Sequence, residues 1–112
     1  MQIRVSKLRD ALALVEMAVP RKKSRLPILS SVRFGGGAIR ATDLNIEVTV
    51  KLAEAEDEGL LPCRWVLDLL ARVPGTDMVT VTWPEGDKAV KLAFSSTQAS
   101  FPTVSPADYP PV

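Results

Sequence analysis

One order of elements is written twice in this chain, and that repetition limits the available folds more than any single motif does. Met1–Val5 alternates Ile3 and Val5 with Gln2 and Arg4, the period of a short strand. Ser6 then suits the N-cap of a helix over Lys7–Val19, with Leu8, Ala11, Leu12, Val15, Ala18 and Val19 forming an apolar stripe. Pro20 ends it, because its ring removes a backbone donor and blocks the next turn. An exposed basic loop, Arg21-Lys22-Lys23-Ser24-Arg25, comes next. Three strands follow: Ile28–Phe34, Ala38–Thr42 after a Gly35-Gly36-Gly37 hairpin turn, and Ile46–Leu52 after a turn at Asp43. In the last of these Ile46, Val48, Val50 and Leu52 alternate with Glu47, Thr49 and Lys51, as in a sheet with one dry face and one wet face.

The same order then returns. Leu60-Leu61 is a short strand, and Pro62 opens a helix over Cys63–Val73 whose stripe is Val66, Leu69, Leu70 and Val73. Arg64, Asp68 and Arg72 share its opposite face at four-residue steps. Pro74-Gly75 stops it. Met78–Trp83, Ala89–Phe94 and Gln98–Phe101 read as three more strands, the first two joined by a Pro84–Asp87 turn. Each unit thus offers a helix with one apolar stripe and strands with one apolar face. Packing both helices on the same face of a shared sheet buries both stripes and leaves two polar helical faces outward. The expected fold class is α+β, a two-layer sandwich of tandem βαβββ repeats spanning about 1–54 and 55–105. Residues 106–112, in a proline-rich stretch, read as the start of a linker.

Catalytic chemistry finds little support in the residues. There is no histidine, so the commonest general base and metal ligand is missing. Cys63 is the only cysteine, which excludes an internal disulfide and leaves a thiol better read as structural than as a nucleophile. Glu54, Glu56, Asp57 and Glu58 crowd one loop without the spaced ligands and turning glycine of a calcium loop. The three glycines are not followed by Lys-Ser or Lys-Thr, as a phosphate cradle would require. The chain is therefore read as a non-enzyme without a cofactor or metal. No basic-apolar leader opens it and no run approaches a membrane span, which fits a cytoplasmic location.

Charge is distributed more tellingly than the formal net of +1 implies. Between residues 4 and 33, Arg4, Lys7, Arg9, Arg21, Lys22, Lys23, Arg25 and Arg33 face only Asp10 and Glu16. Between 43 and 58, Asp43, Glu47, Glu54, Glu56, Asp57 and Glu58 face only Lys51. Such separation lets one side of a molecule attract a polyanion while another repels it; ordinary surface charge is the competing explanation.

Several stretches, taken in order, resemble the first domain of the bacterial sliding clamp, the beta subunit of DNA polymerase III. Arg25-Leu26-Pro27-Ile28-Leu29 is similar to that family's segment after the first helix. Ala41-Thr42-Asp43-Leu44-Asn45-Ile46-Glu47 is similar to its turn and strand, and Pro62, Val66-Leu67-Asp68 and Pro106-Ala107-Asp108-Tyr109-Pro110 follow at similar spacing. The resemblance implies a ring of such domains, joined head to tail, that encircles duplex DNA with helices lining the hole. It implies non-specific phosphate contacts by Lys23 above all, with Arg25 beside it and Arg72 at the end of the second helix. Arg64, Lys22, Arg21 and Lys7 or Arg9 would join them, with the acidic loop turned away. Polymerase and clamp loader would be met only through domains beyond this segment. Departures from the family pattern fall at Ser96, Thr97 and Gln98, where some relatives carry interface arginines, and at Trp65, where a basic residue is common and where covering the core is the expected role. The alternative is a free-standing clamp-like assembly scaffold that does not touch DNA.

Overall fold

The computed structural model describes residues 1–20, 27–84 and 89–110. Among them the chain forms eight strands and two α-helices: β1 (Gln2–Arg4), α1 (Val5–Val15), β2 (Ser31–Gly35), β3 (Ala38–Thr42), β4 (Glu47–Lys51), β5 (Gly59–Pro62), α2 (Cys63–Leu70), β6 (Met78–Thr82), β7 (Ala89–Ala93) and β8 (Gln98–Pro102). The doubled order and the α+β class expected from the sequence are therefore present.

The pairing of the strands is not the expected one. Instead of one shared sheet there are two antiparallel four-stranded sheets, ordered β1-β6-β7-β8 and β4-β3-β2-β5. Each repeat gives its opening strand to the other's sheet: Ile3 of β1 pairs with Val79 of β6, and Leu61 of β5 pairs with Val32 of β2. The first strand of either unit is too short to stand alone, and lying antiparallel along the partner's second strand completes its ladder.

The core lies between the sheets and the helices. Leu8, Ala11, Leu12 and Val15 of α1 and Cys63, Val66 and Leu70 of α2 pack with Val32, Phe34, Ile39, Ala41, Val79, Val81, Val90 and Leu92 from the strands. Phe34 of β2 and Trp83, just after β6, tilt against each other with ring centroids 5.4 Å apart, so an aromatic pair joins the two sheets. At Gly59, which opens β5, the Trp83 ring fills the space that even a methyl group would need.

Element ends depart from expectation for local reasons. α1 begins at Val5, not Lys7, and Ser6 is not its cap: Arg4 holds the N-cap position without a side-chain bond. Backbone carbonyls from after α2 cap it instead, with the Val5 N–H donating to Asp77 O at 2.9 Å and the Ser6 N–H to Gly75 O at 3.0 Å. Its last turn tightens into 3-10 geometry over Glu16–Ala18. Pro27–Ser30 is a 3-10 turn rather than the start of a strand, and α2 stops at Leu70, three residues early. The glycine hairpin forms as expected, with Gly36 and Gly37 at φ 63° and 78°, where a side chain would be strained. In the Asp43 turn, the carboxylate accepts from the Asn45 and Ile46 N–H groups at 2.8 Å each. Those two bonds, Ile46 foremost, hold the Asp43 carboxyl below the usual carboxylate range.

Past β8 the chain does not run free. The Thr103 hydroxyl donates to Leu60 O at 3.0 Å, Pro106–Asp108 forms a 3-10 turn, and Tyr109 is 2 % exposed. The Thr42 N–H donates to the Tyr109 hydroxyl at 3.1 Å, and the Arg40 guanidinium sits 5.9 Å from the centre of the ring. The expected linker thus begins with residues that pack on the domain.

Candidate nucleic-acid interface

The two helices lie side by side and run in opposite directions. The start of α1 meets the turn after α2, through Ser6 and Gly75, while the end of α1 meets the start of α2, through Pro20 and Arg64. Their stripes face the sheets, so the residues left outward are Lys7, Asp10, Ala13 and Leu14 of α1, Met17 of the 3-10 turn after it, and Trp65 and Asp68 of α2. This is the face on which the sequence places DNA contacts.

Its described residues supply less free positive charge than their number implies. Lys7 Nζ lies 2.8 Å from Glu54 Oε2 and 2.9 Å from Oε1. That bond holds the Glu54 carboxyl below its ordinary value, and it turns one member of the acidic loop toward the helices rather than away. Arg9 is half-buried with its guanidinium beside Gly75. Arg64 does not extend outward: Nη1 donates to Pro20 O at 2.7 Å and Nη2 to Val19 O at 3.3 Å. Arg72 is exposed on the turn after α2, beside a shallow cleft of about 390 Å³ that Asp77, Ser95, Ser96 and Thr97 also line. There the Ser95 hydroxyl donates to Asp77 Oδ2 at 3.0 Å. Arg21, Lys22, Lys23 and Arg25 lie outside the described residues. With Asp10, Glu16, Glu54 and Asp68 nearby in sequence and structure, the described helical layer is close to charge balance. The cationic excess of the first repeat is concentrated in residues 21–25.

The opposite, outer face carries the other arginines. Arg33 and Arg40 are register partners on β2 and β3. Glu58 approaches Arg33 at 3.4 Å and Glu47 approaches Arg40 at 3.7 Å, around a cleft of about 500 Å³. These carboxylates do look away from the helices. Trp65 does not cover the core, as the sequence reading favoured. It is 58 % exposed and stacks on Phe101 of the edge strand β8, with centroids 6.2 Å apart.

Burial foremost, with the Glu16 charge adding to it, pushes the Cys63 thiol up to about 12, so little thiolate forms near neutral pH. Among the described residues no three His, Cys, Asp or Glu side chains group to hold a metal ion. No helix among them is long and apolar enough to cross a membrane.

Two antiparallel helices backed by two four-stranded sheets, with strands exchanged between tandem units, make the fold of a DNA-clamp domain. Solved structures that share this fold include bacterial DNA polymerase III beta subunits. The Pseudomonas aeruginosa subunit matches at a TM-score of 0.82 with 24 % identity, over 100 % of this chain and 32 % of its own. The Bartonella birtlesii clamp, solved with griselimycin, matches at 0.84 with 23 % identity, over 100 % of this chain and 31 % of its own. The Caulobacter crescentus beta clamp matches at 0.85 with 22 % identity, over 99 % of this chain and 31 % of its own. The chain therefore spans about a third of each, the size of one clamp domain. No family model matches the sequence, and no curated protein does. At this identity the likeness establishes the fold.

Proposed function

We propose that this domain is one segment of a sliding clamp: a ring that encloses duplex DNA without reading its sequence and tethers a replicative polymerase to it. The observation that carries this reading is the paired helical layer on one side of a clamp fold, with the basic stretch Arg21–Arg25 following α1 and its 3-10 turn in the sequence. Cations that contact phosphates hold a polyanion in place without reading its sequence, which suits sliding. Lys23 and Arg25 are the principal contacts, with Arg21 and Lys22 next to them in sequence and Arg72 contributing from the turn after α2; Lys7 contributes only by exchanging Glu54 for phosphate. β4 and β8 are outer edges of the two sheets, and pairing such edges with neighbouring domains head to tail would extend the sheets around the ring. The domain is non-enzymatic, needs no cofactor and works in the cytoplasm, and polymerase and loader bind through other domains of the ring.

The test is binding of a short duplex as salt is raised. The expected Kd is of order 10⁻⁴–10⁻⁶ M and rises steeply with salt, as counterion release requires. Lys23→Glu combined with Arg25→Glu should abolish binding. A duplex that binds the double variant as well as the parent, or neither of them, would favour the assembly scaffold.

A further inference from the structure

Arg64 occupies a place that helix chemistry does not explain. It lies in the first turn of α2, where a positive charge opposes the helix dipole, and that turn contains no acidic residue to offset it. What it does instead is reach across to the other helix. Its two terminal nitrogens donate to Pro20 O and Val19 O, at 2.7 and 3.3 Å. Val19 has already left helical geometry, at φ −87° and ψ 126°, with its N–H turned back to Glu16 O at 2.9 Å. The two carbonyls therefore belong to the residues just past α1 and its 3-10 turn, where no further helical turn can satisfy them. They immediately precede Arg21 in the chain. A planar guanidinium can serve both at once, whereas a lysine ammonium is a single compact point of charge.

We propose that Arg64 is a positioning residue: it fixes the point and direction in which the chain leaves α1 for the basic stretch Arg21–Arg25, and does not itself contact phosphate. Its effect on DNA rests on the clamp reading above, whereas the tether between the helices stands apart from it. The charge of Arg64 is then spent within the domain. The number of phosphates neutralised is set by the residues after Pro20, and Arg64 sets how well they are presented.

Two measurements on the parent protein and on Arg64→Gln, Arg64→Lys and Arg72→Gln test this. The first uses no DNA: trypsin cleavage within Arg21–Arg25 under native conditions. Freeing the chain at Pro20 by the loss of a charge-assisted hydrogen bond should raise the cut rate by about tenfold. Both Arg64 variants should show an increase of that order and Arg72→Gln none; parent-like rates in both would overturn the tether. The second is duplex affinity against salt, where a lost phosphate contact lowers the slope of log K on log salt by about 0.9. Arg64→Lys should weaken binding as much as Arg64→Gln, with the slope of each unchanged. A lysine variant that binds like the parent, beside a glutamine variant with a reduced slope, would identify a direct phosphate contact and overturn the assignment. If the parent shows no salt-dependent binding, the clamp reading fails, and the cleavage rates still decide the tether. Should Arg64→Gln fold poorly, the lysine variant keeps charge and stem and carries both measurements.

Discussion

The two sheets share a plan but differ on their outer faces. On β6 and β7 the outward positions are Met78, Thr80, Thr82 and Lys91, all exposed, and the half-buried Ala89 and Ala93. Water satisfies such a face and nothing needs to cover it. On β2, β3 and β5 the outward positions include Arg33, Arg40, Thr42 and Leu60, and here Thr42 and Leu60 are buried. The tail supplies the cover, through Thr103 beside Leu60 and Tyr109 over Arg40 and Thr42. The lesson is that a repeat can conserve its inward face while each copy's outward face is shaped by what lies on it.

The largest test asks whether the two sheets stand or fall as one. Phe34 is fully buried against Trp83 of the other sheet, so Phe34→Ala should cost about 3–5 kcal/mol. Because the opening strands are exchanged, denaturant should still produce one transition, seen alike by far-UV dichroism and tryptophan fluorescence. Two separated transitions would break the picture of interlocked sheets. Next in size, Tyr109→Phe strands the buried Thr42 N–H and should cost about 1–3 kcal/mol. Thr80→Val on the open sheet should stay within about 0.5 kcal/mol. Equal urea midpoints for those two variants would erase the distinction between covered and open faces.

The smallest effect concerns the bridge between the acidic loop and α1. Lys7 is 54 % exposed, so Lys7→Ala should cost only about 0.2–1 kcal/mol at neutral pH. Glu54 has a folded-state pKa below its ordinary 4.5. The bridge therefore contributes in full above that value, and its contribution is lost as pH falls through the lowered pKa. Melting temperatures of parent and variant should converge in that acid range; a gap that persists there would assign the effect to packing of the lysine stem.

Much of the fold was legible because periodicity is a local signal. The stripes Leu8-Ala11-Leu12-Val15 and Val66-Leu70, and the alternation in β4, β6 and β7, follow directly from which face must be dry. Pairing was not legible, since nothing in Met1–Val5 says that its partner lies at Met78–Thr82. Helix ends failed for the same reason: distant carbonyls at Gly75 and Asp77 cap α1, where a neighbouring serine was the local candidate. Among the candidate contacts, the cationic residues could be named from sequence, but not what holds them. Lys7 and Arg64 read as free charges, and only the folded chain brings Glu54 to one and the Val19 and Pro20 carbonyls to the other. The covering role of Tyr109 was hidden by its proline-rich surroundings, which locally resemble an extended tether.

The pairing of Gln2 with Thr80 also dictates a schedule for the newborn chain. On a ribosome adding about 5–20 residues per second, the amino-terminal strand emerges seconds before the segment it must join. Until then it has no ladder to enter, and the sheet it borders cannot close. Half of this domain is thus no smaller version of the whole but an unfinished one, and a transcript cut after the first repeat would yield a polypeptide with apolar edges and nothing to bury them.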